Sequence, residues 1–188
     1  MMLKPDLLVG WHSTFMPKVL RSTEFWHKRG VNTFIANSSM IDGRPRTLEN
    51  EYKDILDLGK IFDKNEKAQQ LVGQMQQEVN FAISQTAGYQ KRPRALVLEF
   101  MGKEPTVYGE KSLAGNIVKE LHGELLAEKQ RAIGLEQVVE LDPDVIFVVV
   151  IESHYGHEQD MIDPAQGAEK FALREGRTCC SLAAVRYL

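Results

Sequence analysis

The sequence predicts an α/β protein built from two Rossmann-like βαβ lobes that are joined by a long helix. Two observations lead to this prediction. The order strand, polar loop, helix and strand occurs twice along the 188 residues, and a long amphipathic helix separates the two copies. A chain of this length is able to bury a hydrophobic core.

The repeat is clearest where each copy begins. LKPDLLV at residues 3–9 matches LDPDVIF at residues 141–147, and in both a Pro-Asp pair precedes an apolar run. Such runs are typical of buried parallel strands. Each strand then meets a polar loop that contains histidine, residues 10–14 in the first copy and residues 152–157 in the second.

The second half of each copy also follows one pattern. A helical segment is closed by a glycine, Gly30 or Gly176, and another short strand follows at residues 33–36 or 178–182. The two copies therefore predict two lobes of the same kind.

A helix is predicted between the lobes. An earlier helix covers residues 48–62, and Asp63 and Glu66 then have the spacing of a capping box. Apolar residues at helical spacing continue to about residue 86. We therefore divide the chain into a first lobe at residues 1–62, a connecting helix at 63–90 and a second lobe at 91–188, which opens with a strand.

Composition excludes several function classes. A formal net charge of −3 argues against general nucleic-acid binding, which needs a concentrated basic face. The basic run of residues 91–94 is interpreted as a solvated junction. Cys179 and Cys180 are adjacent in an apolar run and are interpreted as buried thiols. No apolar run reaches the ~20 residues of a membrane span.

Several segments stand in an informative order and spacing, namely residues 3–9, 30–35, 47–55, 58–62, 67–68, 92–97, 141–147 and 172–177. In this order and spacing, the sequence resembles the class III periplasmic-binding-protein family. Members of this family are substrate-binding components of ABC transporters for siderophores, haem, cobalamin and related metal compounds.

The resemblance also has departures. Family members usually begin with a further strand and helix and continue into a closing helix. The resemblance therefore implies that the first lobe is incomplete and that the chain is a fragment lacking both segments. It also implies an extracytoplasmic location for the parent protein, in the periplasm or lipid-anchored at the cell surface, although no signal segment precedes residue 3. Uncovered apolar faces would favour a dimer.

Ligands of open α/β sheets bind beyond the carboxyl ends of the strands, where three loops of this sequence carry candidate residues. Trp11 offers an apolar face and His12 a metal-ligating nitrogen, although a core tryptophan and a surface histidine are equally open interpretations. Tyr108 and Ser112 follow the strand at 94–100, and Ser112 is expected to cap a helix whose N–H groups favour an anion. A simple hairpin and cap is the alternative for this pair.

The third loop, residues 152–158, is the most polar cluster in the sequence. His154 and His157 are candidate metal ligands, and Tyr155 stands between them as a further ligand contact. A mobile surface loop of no function is the alternative. We interpret His27 and His122 as structural or solvated.

These features favour a binding module over an enzyme. The expected ligand is a metal chelate (ferric siderophore, haem or cobalamin), no intrinsic cofactor is expected, and an ABC-transporter permease is the expected partner. Two alternatives remain: a metal-dependent hydrolase that uses His154 and His157, and a flavodoxin-like sensor domain. Neither a nucleophile elbow nor a phosphate-binding loop appears in the sequence.

Overall fold

The structure, a computed structural model, describes residues 4–40, 42–88, 90–100 and 104–149, and the backbone of residues 178–182. The chain divides into two compact units, Met1–Gln77 and Glu78–Leu188. Both contain helices and parallel strands, so the predicted α/β class is confirmed. The boundary falls inside the long helix. The predicted lobe limits therefore stay a prediction.

In the first unit, two short parallel strands form the sheet. Strand β1 (Leu7–Gly10) pairs with β2 (Asn32–Ile35), with Leu7 opposite Asn32. Helix α1 (Thr23–His27) precedes β2, and helix α2 (Leu48–Ile61) follows it. Two 3-10 turns complete the unit's described elements: His12–Phe15 directly after β1 and Asn37–Ser39 directly after β2.

The second unit is built around one central strand. Strand β3 (Arg94–Glu99) pairs parallel with β6 (Val145–Val149), which pairs parallel with β7 (Thr178–Leu182). On the other side of β3 lie β4 (Thr106–Val107), antiparallel, and β5 (Glu124–Leu125), parallel.

Helices complete the second unit. Helix α4 (Leu113–Glu120) lies between β4 and β5, and α5 (Leu135–Leu141) precedes β6. The long helix α3 (Asn65–Thr86) crosses the boundary between the two units.

The described residues agree with the internal repeat in its strands. Both Pro-Asp segments enter a strand, and each of these strands, β1 and β6, pairs parallel with the strand that ends its copy. Gly30 has a φ of +75°, a left-handed conformation that glycine adopts without strain. Gly176 lies outside the described residues.

The predicted capping box at Asp63 and Glu66 is wrong. Asp63 adopts a left-handed conformation, φ +52°, and terminates α2 instead of starting α3, which begins at Asn65. The N–H of Lys64 donates to the Gly59 carbonyl at 2.7 Å and that of Asp63 to the Lys60 carbonyl at 3.3 Å. This is a Schellman motif, which satisfies carbonyls that the helix end leaves open.

The two units differ in how well their strands are covered. In the second unit, Ala95, Leu96, Val97 and Leu98 of β3 are all buried, and they contribute to two apolar clusters. In the first unit, Val9 of β1 is 49 % exposed. Parallel strands normally have both faces covered, so β1 presents an apolar face that the described residues leave open.

Among the described residues, no helix is both long and apolar enough to cross a membrane.

We predict opposite effects for two glycine substitutions. A Cβ at Gly59 would lie 2.4 Å from the Cβ of Ala68, so α2 and α3 approach too closely to accept it. Gly59→Ala should therefore lower the free energy of unfolding by about 1–3 kcal/mol. Gly73 is the matched control, because a Cβ there meets nothing within 4 Å.

Gly73→Ala should raise the free energy of unfolding by about 0.5–1 kcal/mol, since alanine favours the helix. Urea titration of both variants measures the difference. Equal and small effects at the two positions would contradict the close packing of the helices.

Candidate ligand-binding edges

The predicted residues Trp11 and His12 lie in the turn that leaves β1. This turn folds tightly, because the Trp11 N–H donates to the Thr14 hydroxyl at 3.1 Å and the Thr14 N–H donates to the Trp11 carbonyl at 2.9 Å. Phe15 is buried and anchors the turn, whereas Trp11 remains 43 % exposed. Trp11 is thus not a core residue of the described unit, and its flat apolar face is accessible.

More apolar surface follows in the same loop. Met16 is 45 % exposed and Val19 is 69 % exposed, and the Val19 N–H donates to the Met16 carbonyl at 3.0 Å. Three large apolar side chains are therefore exposed within nine residues. Sequence reasoning missed Met16 and Val19, since exposure of a single apolar residue has no local signature.

His12 is connected to the second strand end of the first unit. Its backbone N–H donates to the Ser39 hydroxyl at 2.8 Å, and that hydroxyl donates to the Ala36 carbonyl at 2.7 Å. Ser39 is only 3 % exposed. The loop after β2 therefore supports the loop after β1 through one buried hydroxyl, and the His12 side chain stays partly exposed beside it.

A buried carboxylate holds the turn after β2. Asp54 of α2 is 6 % exposed, and it accepts three hydrogen bonds. The donors are the Asn37 N–H at 2.7 Å, the Asn37 side-chain amide at 2.6 Å and the Ser38 N–H at 3.0 Å. Buried charges persist when they are well hydrogen-bonded, and here the bonds fix the turn after β2, from which Ser39 supports the loop after β1.

Sequence reasoning missed Asp54 and Ser39. Asp54 stands four residues before Leu58, so an acidic residue shares a helix face with an apolar one. That break in the amphipathic pattern was the available signal.

A second acidic residue of α2 lies close to this carboxylate. Burial raises the pKa of the Glu51 carboxyl above its ordinary value, and the negative charge of Asp54 raises it further. A hydrogen bond with the Ser38 side chain and the positive charge of Arg46 oppose the rise. Glu51 therefore holds its proton to higher pH in the folded chain.

In the second unit, the predicted residue Tyr108 is partly buried. Its ring packs against the apolar cluster of Ala95, Val97, Val118 and Leu125. Its hydroxyl donates to Glu99 at 2.8 Å, and Glu99 is the last residue of β3. A phenol and a carboxylate thus meet at the carboxyl end of the central strand, where oxygen ligands would face a bound group.

Ser112 caps α4 as expected from the sequence. Its hydroxyl accepts from the Gly115 N–H at 2.9 Å and donates to the Gly109 carbonyl at 2.7 Å. The backbone is crowded here, since a Cβ on Gly115 would lie 2.2 Å from the Gly109 carbonyl oxygen. The hydroxyl proton is thus donated to the Gly109 carbonyl, while the hydroxyl oxygen caps the helix. A ligand contact by Ser112 stays a prediction.

The remaining candidates, His154, Tyr155 and His157, lie outside the described residues. Within the part of the chain that is described, no group of three or more His, Cys, Asp or Glu side chains is placed to hold a metal ion. His27 hydrogen-bonds to Thr33 with 2.8 Å between Nε2 and Oγ1. His122 has a left-handed φ of +62° at the end of α4.

We predict that Asp54 contributes far more to stability than its neighbour Asp57. Asp54→Ala leaves buried N–H donors without an acceptor and should lower the free energy of unfolding by about 3 kcal/mol. Asp57 makes surface ion pairs with Lys53 and Lys60, so Asp57→Ala should cost less than about 1 kcal/mol. Urea titration compares the two, and equal losses would contradict the role of Asp54.

The raised pKa of Glu51 predicts a pH effect. The folded chain binds this proton more tightly than the unfolded chain, so stability falls as pH rises from the ordinary to the raised pKa. Glu51→Gln removes this pH-dependent loss of stability, because glutamine does not ionise. It should raise the thermal midpoint at about pH 7, with a smaller gain at about pH 4. Glu49→Gln, an exposed change on the same helix, should show no such dependence.

Solved structures resemble this one over nearly the whole chain. A periplasmic binding protein from Veillonella parvula is 41 % identical with a TM-score of 0.82, over 94 % of this chain and 57 % of its own. An ABC-type Fe³⁺-hydroxamate transport protein from Saccharomonospora viridis is 24 % identical with a TM-score of 0.70, over 94 % and 61 %.

A third similar structure is IsdE from S. aureus, solved with heme. It is 17 % identical with a TM-score of 0.63, over 95 % of this chain and 67 % of its own, which is a likeness of fold.

The chain thus spans just over half the length of the Veillonella protein. No curated protein sequence matches it. A sequence model of the periplasmic binding proteins, however, matches residues 1–171. The resemblance inferred from the sequence is confirmed, and the chain belongs to the periplasmic-binding-protein family.

Proposed function

We propose that this chain is the ligand-binding part of the extracytoplasmic substrate-binding component of an ABC transporter. Its ligand, in this proposal, is a metal chelate: a ferric siderophore, haem or cobalamin. The observation that carries the proposal is the match of the binding-protein family over residues 1–171. Structures with a similar fold include proteins named for Fe³⁺-hydroxamate, for petrobactin and for heme, which supports this ligand class.

The loop after β1 supports an organic chelate over a bare ion. Trp11, Met16 and Val19 expose large apolar side chains at the edge where ligands of α/β sheets bind. Clustered apolar exposure is a mark of binding surfaces, and ligand pockets combine apolar walls with a few polar groups. Haem and corrin rings, and the catechols of some siderophores, offer matching flat faces.

Polar residues at the strand ends would set the ligand's orientation. Histidine and tyrosine both ligate haem iron, so His12 and Tyr108 are the proposed contacts to the metal or to the chelate's rim. Ser112 would act through the start of α4, where free N–H groups favour an anionic substituent. His154, Tyr155 and His157 remain proposed contacts from the sequence.

The remaining features of this proposal follow from the family. The chain would bind and release its ligand without changing it, so the hydrolase alternative is not favoured, and a permease of the same transporter would be its partner. Helix 63–90 would join lobes at 1–62 and 91–188. A dimer through the exposed face of β1 is proposed only for the chain as it stands.

We predict that the two tryptophans report ligand binding differently. Trp26 is engaged, since its indole N–H donates to the Leu20 carbonyl at 2.5 Å, whereas Trp11 is exposed. In a Trp26→Phe variant, fluorescence therefore comes from Trp11 alone. Binding of haem, cobalamin or a ferric siderophore should quench the Trp11 emission. It should also shift the absorption spectrum of the bound ligand.

Trp11→Ala should lower the affinity for the same ligand by roughly threefold to tenfold, which corresponds to the loss of one aromatic contact. Absorption titration of wild type and Trp11→Ala, with Trp26→Phe as the matched control, measures this effect. Absence of any spectral change with all three ligand classes would contradict the chelate proposal.

A further inference from the structure

We propose that the second unit carries an anion site for a phosphate group, separate from the chelate site. The site is a pocket of about 210 Å³ whose lining includes Lys91, Arg92 and His122. None of the described residues that line it is acidic. The basic run read from the sequence as a solvated junction forms part of this pocket.

The pocket lies at the opposite end of β3 from Tyr108 and its partner Glu99. Lys91, Arg92 and Pro93 come directly before β3, which begins at Arg94, and the Pro93 carbonyl accepts from the Glu124 N–H at 2.9 Å. Glu99, which holds Tyr108, ends the same strand. A group bound in the pocket would therefore lie at the amino end of β3, apart from the Tyr108–Glu99 pair at the carboxyl end of the same strand.

The cations of this run differ in their partners. The Arg94 guanidinium donates to the Asp142 carbonyl at 2.8 Å and lies 3.7 Å from the Glu124 carboxylate. It is therefore bonded to residues at neighbouring strands of the sheet. The Lys91 ammonium lies 3.7 Å from Asp144 and its side chain is 76 % exposed, which makes a weak pair. Arg92 is exposed, and among the described residues it forms no ion pair. Arg92 is therefore the cation most available to an anion.

The backbone of His122, which also lines the pocket, is held in place. His122 has its left-handed conformation because its N–H donates to the Lys119 carbonyl at 3.0 Å and the Gly123 N–H donates to the Val118 carbonyl at 2.8 Å. These two bonds satisfy carbonyls at the end of α4 and fix the backbone of His122. The exposed His122 side chain thus extends into the pocket's lining from a backbone that is held in place.

Size and charge together identify the ligand class. Pockets for drug-sized molecules occupy about 300–1,000 Å³, so 210 Å³ is too small for a siderophore or a haem and suits a small anion. A guanidinium matches the oxygens of phosphate with two parallel hydrogen bonds, lysine adds a positive charge, and an imidazole adds an N–H donor. The phosphate could be free or belong to a lipid headgroup, and both present the same oxygens.

Two titrations of the whole chain test this site and its source. Calorimetry with inorganic phosphate, in a phosphate-free buffer, measures free anion binding. Cosedimentation with phosphatidylglycerol vesicles, against phosphatidylcholine vesicles, measures headgroup binding. Arg92→Ala should weaken whichever binding occurs by about tenfold or more. His122→Gly keeps the left-handed backbone while it removes the imidazole, and it should weaken binding as well.

Arg131→Ala is the matched control, because Arg131 is an exposed arginine of the same unit outside the pocket. It removes the same charge and should leave binding unchanged. Calorimetric binding that depends on Arg92 supports a free phosphate, and vesicle binding alone that depends on Arg92 supports a headgroup. Absence of both, or equal losses in Arg92→Ala and Arg131→Ala, would overturn the proposal. Neither result depends on whether the chain binds a chelate.

Discussion

Parallel strand pairing is the constraint from which the candidate site follows in each unit. A strand that pairs parallel with its predecessor is reached only by a crossover. The loops that leave the two strands therefore begin at the same edge of the sheet, where both carboxyl ends lie. β1 and β2 obey this rule in the first unit, and β3, β6 and β7 obey it in the second. Residues far apart in sequence, such as His12 and Ser39, become hydrogen-bonded neighbours for this reason.

Loops that leave a sheet lose the hydrogen bonds of the strand ladder and need other partners. In the first unit a buried carboxylate, Asp54, supplies them to the turn after β2, and Ser39 extends the support to His12. In the second unit Glu99 receives the Tyr108 hydroxyl, and Ser112 closes the start of α4. The side chains of Asp54, Ser39 and Glu99 thus hold proposed contacts in place, which would limit the entropy lost on binding.

The sequence predicts those parts of the fold that depend on local patterns. The strands at Leu7–Gly10 and Arg94–Glu99, and the helix at Leu48–Ile61, lie within one residue of their predicted bounds, because apolar periodicity and turn residues specify them. Asp63 shows where this fails, since an aspartate suits either a helix start or a left-handed end. In this chain Asp63 ends α2, because the Lys64 N–H after it donates to the Gly59 carbonyl. Asp54 and Glu99 acquired their roles from partners that no local pattern specifies.

The two ends of β3 carry opposite chemistry. At the carboxyl end a carboxylate and a phenol meet, and at the amino end the pocket gathers Lys91, Arg92 and His122. The strand between them is buried from Ala95 to Leu98 and paired along both sides, so it has little freedom to shift. Coupling between two sites requires an element with two arrangements, and β3 has only one arrangement. We therefore expect a chelate at one edge and a phosphate at the other to bind without changing each other's affinity.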